Sequence, residues 1–220
     1  MNWIHRFLFG VLIAGFASCS PVTQVKPLEK NQKAVTASFG GPMIVYSKLP
    51  IPIPFCNAGF SYGLNSRVTA SAQLGLTSLA FGVIQLDPGI LYGIRMPANN
   101  HQIGISAFLK THLLLDKWEG NFRWYPEVGI QTYKEWGRNM VYAGASGWFE
   151  TRFPTEKRAA GNVWVPMLNL GYTRQKTKWN FSAEAKWIAP NISKNDIVVD
   201  FIGPGTHGTL GLYLGLARKF

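Results

Sequence analysis

Residues 178–189 read KWNFSAEAKWIA, and the fold turns on how that stretch is read. Lys178, Asn180, Ser182, Glu184 and Lys186 alternate with Trp179, Phe181, Ala183, Ala185, Trp187 and Ala189. A period of two puts all the polar groups on one face of an extended strand and all the apolar groups on the other. A helix would scatter both sets around its circumference.

Working outward, the alternation recurs. Arg67, Thr69, Ser71 and Gln73 oppose Val68, Ala70, Ala72 and Leu74; Gln102, Gly104, Ser106 and Lys110 oppose Ile103, Ile105, Ala107 and Leu109. Thr209, Gly211, Tyr213 and Gly215 oppose Leu210, Leu212, Leu214 and Leu216. Strands are expected over residues 34–39, 55–64, 67–76, 79–94, 101–112, 121–133, 139–152, 162–173, 178–189 and 209–218. The Asp87-Pro88-Gly89 signal marks a break or bulge in the fourth of these. Tight connections such as Asn65-Ser66 fall at one end, and the longer ones, 47–54, 113–120, 153–161 and 190–208, at the other.

Alternation does not say which face meets solvent, because a soluble carrier turns its apolar face inward and a membrane barrel turns it outward. Aromatic spacing favours the second. Trp179 and Trp187 lie eight residues apart on the apolar face, as do Trp164 and Tyr172. At about 3.3 Å per residue and a tilt near 40°, that step rises roughly 20 Å, close to the ~25 Å apolar band that aromatic girdles flank. Charged residues make up only 15% of the chain, against roughly 25% in ordinary soluble domains, which agrees with a lipid-facing exterior. The reading is a closed antiparallel up-and-down transmembrane β-barrel of about ten strands, with eight as the alternative. A lipocalin-like carrier with an apolar lining is the second reading.

At the amino terminus Arg6 precedes an apolar run over residues 7–17 that ends in Phe16-Ala17-Ser18-Cys19. The run is too short for a membrane helix and suits a secretion signal. Residues 1–18 are read as that signal, 19–33 as a polar, flexible tether and 34–220 as one barrel domain. The two cysteines, Cys19 and Cys56, leave open one disulfide in an oxidising compartment or a modified Cys19 with Cys56 alone. No cysteine or histidine cluster has metal-ligand spacing, and no cofactor is expected.

These features together resemble small bacterial outer-membrane β-barrel proteins, over residues 34–220. The segment before Cys19 resembles a lipoprotein signal, with Phe16 where leucine is usual, and the resemblance implies lipidation at Cys19. Leu210, Leu212, Leu214, Leu216 and terminal Phe220 resemble the signal by which the barrel-assembly machinery recognises its clients; Arg218 departs from it. The resemblance implies the cell outer membrane as location, with both termini periplasmic, and outer-membrane lipids and that machinery as partners.

The formal charge of +11 permits nucleic acid, anionic lipid or acidic glycan as partner, so its placement decides. The tight-turn end carries Arg67, Arg95, Lys134, Arg138, Arg174, Lys176, Lys178, Arg218 and Lys219 against Glu135, while the long loops balance. That distribution suits a membrane surface, where each basic side chain gains roughly 1 kcal/mol from anionic headgroups. Nucleic acid would need a basic groove with stacking aromatics and is not expected.

The inward face should carry Lys110, Arg123, Glu127, Gln131, Glu184 and Lys186, opposite charges able to pair across a lumen that side chains largely fill. The expected role is therefore non-enzymatic: structural, binding, or narrow-pore transport of an unknown small molecule. Outer-membrane lipid-modifying enzymes group histidine, serine and a carboxylate on the barrel's outside. Here the sole candidate set is His112, Ser106 and Glu150, a third reading.

Overall fold

The computed structural model describes residues 22–99, 102–151, 164–194 and 199–220. The signal segment, Cys19, His101 and residues 152–163 lie outside them.

Among the described residues eleven strands form in chain order: β1 (Lys33–Tyr46), β2 (Leu49–Pro52), β3 (Cys56–Gly63), β4 (Val68–Gly75), β5 (Val83–Arg95), β6 (Ile103–Asp116), β7 (Phe122–Trp136), β8 (Asn139–Phe149), β9 (Trp164–Gln175), β10 (Trp179–Ser193) and β11 (His207–Lys219). One helical turn, α1 (Leu76–Ala80), joins β4 to β5. All but β2 are staves of a barrel in which each pairs antiparallel with its neighbours and β11 returns to β1. The closing seam runs from Ala34 opposite Lys219 to Pro42 opposite Gly211. The molecule is thus a closed ten-stranded antiparallel barrel.

β2 pairs only with the outer part of β1, from Met43 opposite Pro52 to Tyr46 opposite Leu49, as a hairpin beyond the rim. β1 changes partner at Gly40, whose φ of 131° suits glycine alone and whose missing Cβ leaves room for the Leu212 carbonyl.

The short links 64–67, 137–138 and 176–178 gather at one rim, called here the turn end, together with the longer link 96–102, the start of β1 and Phe220. Gly137, at φ 58°, supplies the left-handed residue in the link between Trp136 and Asn139. Longer connections gather at the opposite, loop end.

Two sequence expectations change. The segment 79–94 does not start as a strand: Leu76–Ala80 is helical, and β5 begins at Val83. The Asp87-Pro88-Gly89 signal neither breaks nor bulges β5. Its pairing with β4 runs unbroken through Asp87 opposite Gln73 and Pro88 opposite Ala72, and only the step toward β6 is skipped there. Proline has no N–H to donate, and the ladder closes around it.

Burial is inverted relative to a soluble domain. Large apolar side chains at alternate positions stay exposed, among them Leu109, Val128, Ile130, Leu168, Leu170 and Leu214, while Glu127, Gln131, Glu184 and Lys186 are buried. On β10, Trp179, Phe181, Ala183 and Ala185 face out, and Glu184, Lys186 and Ile188 face in. The apolar-lined carrier is therefore overturned: the greasy face is outside. Trp164 and half-buried Trp187 project near the loop end, and Tyr172 and Trp179 near the turn end. Among the described residues no helix is long and apolar enough to cross a membrane.

Inward tyrosines are fitted by glycines directly across the ladder. Gly104 faces Tyr133 and Gly171 faces Tyr142, and a Cβ on either glycine would strike the ring.

Closure makes a direct prediction. Phe39 and Leu214 are register partners on the outer face of the seam. In a chain with Cys19 and Cys56 changed to Ala, Phe39→Cys with Leu214→Cys should form an intramolecular disulfide, since partners of this kind fall within the ~4.4–6.8 Å Cα range the bond requires. Mass spectrometry after mild oxidation should show the loss of two hydrogens; monomer that retains both thiols would count against closure.

Candidate functional site in the barrel lumen

The inward residues sort into three levels. Toward the loop end Leu114, Tyr125, Trp148, Val165, Met167 and Ile188 form an apolar cluster, with the rings of Tyr125 and Trp148 edge to face at 5.3 Å. Mid-barrel is ionic. At the turn end, Val25, Tyr133, Met140 and Tyr142 form a second apolar cluster around the N-terminal segment.

The mid-barrel level is built on three carboxylates, Glu127, Asp87 and Glu184. Glu127 meets Lys110 Nζ at 2.9 Å, His112 Nε2 at 3.0 Å and the Ser146 hydroxyl at 2.8 Å. His112 Nδ1 lies 3.0 Å from Asp87. Asp87 also accepts from the Gln85 amide, whose oxygen in turn accepts from Ser78 at 2.8 Å. Glu184 receives Lys186 Nζ at 3.2 Å, the Tyr142 hydroxyl at 2.6 Å, and both the backbone N–H (2.9 Å) and the hydroxyl (3.0 Å) of Thr23. Between the two groups, Gln131 and Asn169 exchange amide hydrogen bonds at 3.0 and 3.1 Å. Buried ions are tolerable only when so matched, because an unpaired charge out of water costs several kcal/mol.

Thr23 identifies the larger departure from the sequence reading. Residues 22–28, expected within a flexible tether, are packed inside the barrel, and Glu29, Lys30 and Asn31 are exposed at the turn end. Val25 is 2% exposed and its carbonyl accepts the Ser106 hydroxyl at 2.6 Å; Leu28 N–H donates to Thr69 Oγ1 at 2.8 Å. Ser61 donates to Gln24 at 2.9 Å, and Lys26 pairs with Glu135 at 2.7 Å. The reason is complementarity: the short polar residues of the segment match inward hydroxyls and carboxylates, and Val25 and Leu28 cover tyrosine rings and wall. The segment reverses into β1 at Asn31, whose N–H donates to Gly63 at 2.8 Å. Lipidation of Cys19 concerns a residue outside those described.

Of the expected lumen set, Lys110, Glu127, Gln131, Glu184 and Lys186 come together. Arg123 has the inward phase but sits near the loop end, half-buried, and makes no ion pair with that cluster among the described residues. The set His112, Ser106 and Glu150 does not assemble: His112 is inside between two carboxylates, Ser106 is bonded to Val25 about 20 Å along the same strand, and Glu150 follows the loop end of β8. Asp87, Gln85, Tyr142, Ser146 and Asn169 belong to the network and were missed. For Asp87 and Gln85 a signal existed, since they share the inward phase of β5, but the turn-like Pro-Gly beside them masked it.

The outward stripe Leu210, Leu212, Leu214, Leu216 and Phe220 is in phase along β11. Arg218 keeps that phase and stacks its guanidinium over Phe220 (4.9 Å) and Trp179 (5.4 Å). Its charge thereby reaches the rim without interrupting the apolar face.

Such an inside-out, up-and-down barrel belongs to the architectural class of bacterial outer-membrane barrels. No family model matches the chain, and no curated protein matches it. Solved structures do. The NanC porin superposes with a TM-score of 0.50 at 7% identity over 86% of this chain and 100% of that one. An outer-membrane channel from Pseudomonas putida F1 gives 0.50 at 11% identity over 89% of this chain and 97% of its own. At these identities the likeness is one of fold.

Removing one carboxylate should cost more than removing a pair. Glu127→Leu takes the carboxylate away from Lys110 and from His112 Nε2, for an expected loss of about 3–5 kcal/mol in unfolding free energy, while Lys110→Met with Glu127→Leu should recover a good part of it. Urea unfolding in detergent or lipid reads both; equal losses would contradict the pairing.

Proposed function

We propose that the chain is a non-enzymatic outer-membrane barrel, closed to free diffusion, whose task is binding at its periplasmic mouth. The observation that carries this is the occupied lumen. An apolar cluster, an ionic belt and the inserted segment 22–28 succeed one another along the axis, and a barrel of this size leaves little interior beyond its own side chains. Both nitrogens of His112 are taken by carboxylates and the Ser106 hydroxyl by a carbonyl, which leaves neither free as base or nucleophile.

The outer membrane is supported by the exposed apolar band and by a ten-strand wall closed by β11 on β1. In this reading Trp164, Tyr172, Trp179 and Trp187 form the interfacial girdle. The basic turn end, where Arg174 donates to Asn139 at 2.6 Å and Lys176 lies 5.5 Å over the Phe181 ring, faces the periplasmic leaflet with both termini. The stripe ending in Phe220 is the feature the assembly machinery reads. Cys19 carries the lipid anchor.

Three measurements check this. Carbonate-washed membranes should retain the protein, and recovery in the soluble periplasm would contradict the location. Cys19→Ala should abolish incorporation of labelled palmitate; label that persists would overturn the anchor. Reconstituted in planar bilayers, the full chain should show no steady conductance steps, whereas regular steps would make it a diffusion channel.

A further inference from the structure

The lumen is not filled evenly. Between the N-terminal segment and the wall made by β1, β3, β4 and β9–β11 lies a cavity of about 180 Å³. It is several times the ≈ 30 Å³ share of one water and below the ~300–1,000 Å³ of sites for drug-sized molecules.

Two successive inward rungs of the ladder form its wall. The first runs Thr173, Ser182, Gly215, Ser38 across neighbouring strands; the second runs Gln175, Asn180, Ala217, Thr36, Gly59, Gln73. The recess follows from that order, because the middle of each rung is glycine or alanine and the flanks carry hydroxyls and amides. At Gly59 a Cβ would collide with Thr36 Oγ1 and Gln73 Cγ, so glycine there lets both side chains lie along the wall.

The chemistry of the wall is uncharged. Thr173 and Ser182 bond each other at 2.8 Å, and Asn180 lines the cavity beside them. The opposite side sets apolar Val22, Val25 and Leu28 among polar Thr23, Gln24 and Gln32, with Met140 nearby. The charged residues bordering the cavity are Lys26, Glu29 and Lys219; Lys26 is held by Glu135 at 2.7 Å, and the other two are opposite in sign. Among the uncharged rungs an ion would lose hydration that only hydroxyls and amides replace. A small neutral molecule with hydroxyls on its edge and C–H groups on its faces meets both halves.

We propose that this recess binds a small neutral polyhydroxylated ligand of monosaccharide size, with the N-terminal segment as one wall of the site. The inference rests on the binding role proposed above and names its substrate class. Thr36, Gln73, Asn180 and Ser182 supply the hydrogen bonds, and the Gly215 and Ala217 backbone supplies the space.

The test is saturation-transfer NMR on the full chain folded in detergent, with D-glucose as probe and glucose 6-phosphate and glucosamine as charged controls. Glucose should receive saturation and the charged sugars should not. Ala217→Leu, which fills the recess, and Gln73→Leu, which removes an amide, should each weaken glucose binding at least about tenfold while the barrel keeps its heat-modifiable gel mobility. Two variants are used so that one poorly folding protein does not decide the outcome. Absence of transfer to glucose in protein that keeps this mobility overturns the proposal, as does equal transfer to all three sugars or undiminished binding in a folded Ala217→Leu chain. The membrane reading fails separately, by fractionation, so a protein that stays in washed membranes yet ignores glucose loses only the ligand.

Discussion

The pairing of β1 with β11 is the interaction on which the rest of the structure depends. A sheet that shows leucine and valine to its surroundings cannot also show unpaired N–H and C=O groups there, since hydrocarbon offers them no partners. Register from Ala34–Lys219 to Pro42–Gly211 removes both edges at once. Once the sheet is a ring, the alternation in each strand has a single meaning: one set of side chains points at the surroundings and the other converges.

Convergence creates the second problem, which is charge at close quarters. The solution is to give each carboxylate several donors. Glu127 has a lysine, a histidine and a serine; Glu184 has a lysine, a tyrosine and two groups of Thr23. The last of these draws the N-terminal segment into the barrel, so the same rule that stabilises the wall also seats the plug. The plug then leaves a recess wherever the opposing rungs carry glycine and alanine, and that recess is where a ligand would lie.

Most of the barrel was legible because the outward face is compositionally simple. Period-two runs such as those around Trp179 and Leu212 gave the number of staves and the end at which each connection lies. The strand starting at Val83 was misplaced because α1 is a single turn with no helical period to detect, and Asp87-Pro88-Gly89 carries turn chemistry that the ladder overrides. The site was less legible. Lys110, Glu127, Glu184 and Lys186 could be named because they interrupt apolar strands, but their partners Tyr142, Ser146 and Asn169 are ordinary residues whose role depends on strands far apart in sequence. Residues 22–28 read as a linker because short polar residues look alike whether solvent or a polar lumen satisfies them. Only the inward hydroxyls and carboxylates of distant strands distinguish the two.

The central claim is the inverted exterior, and lipid contact tests it most directly. In folded protein reconstituted with brominated phospholipids, variants retaining a single tryptophan should separate by position: Trp179, on the outer face near the turn end, should lose fluorescence to lipids brominated close to the headgroup, and Trp148, 8% exposed in the lumen, should be spared. Quenching of Trp148 with Trp179 untouched would contradict the account.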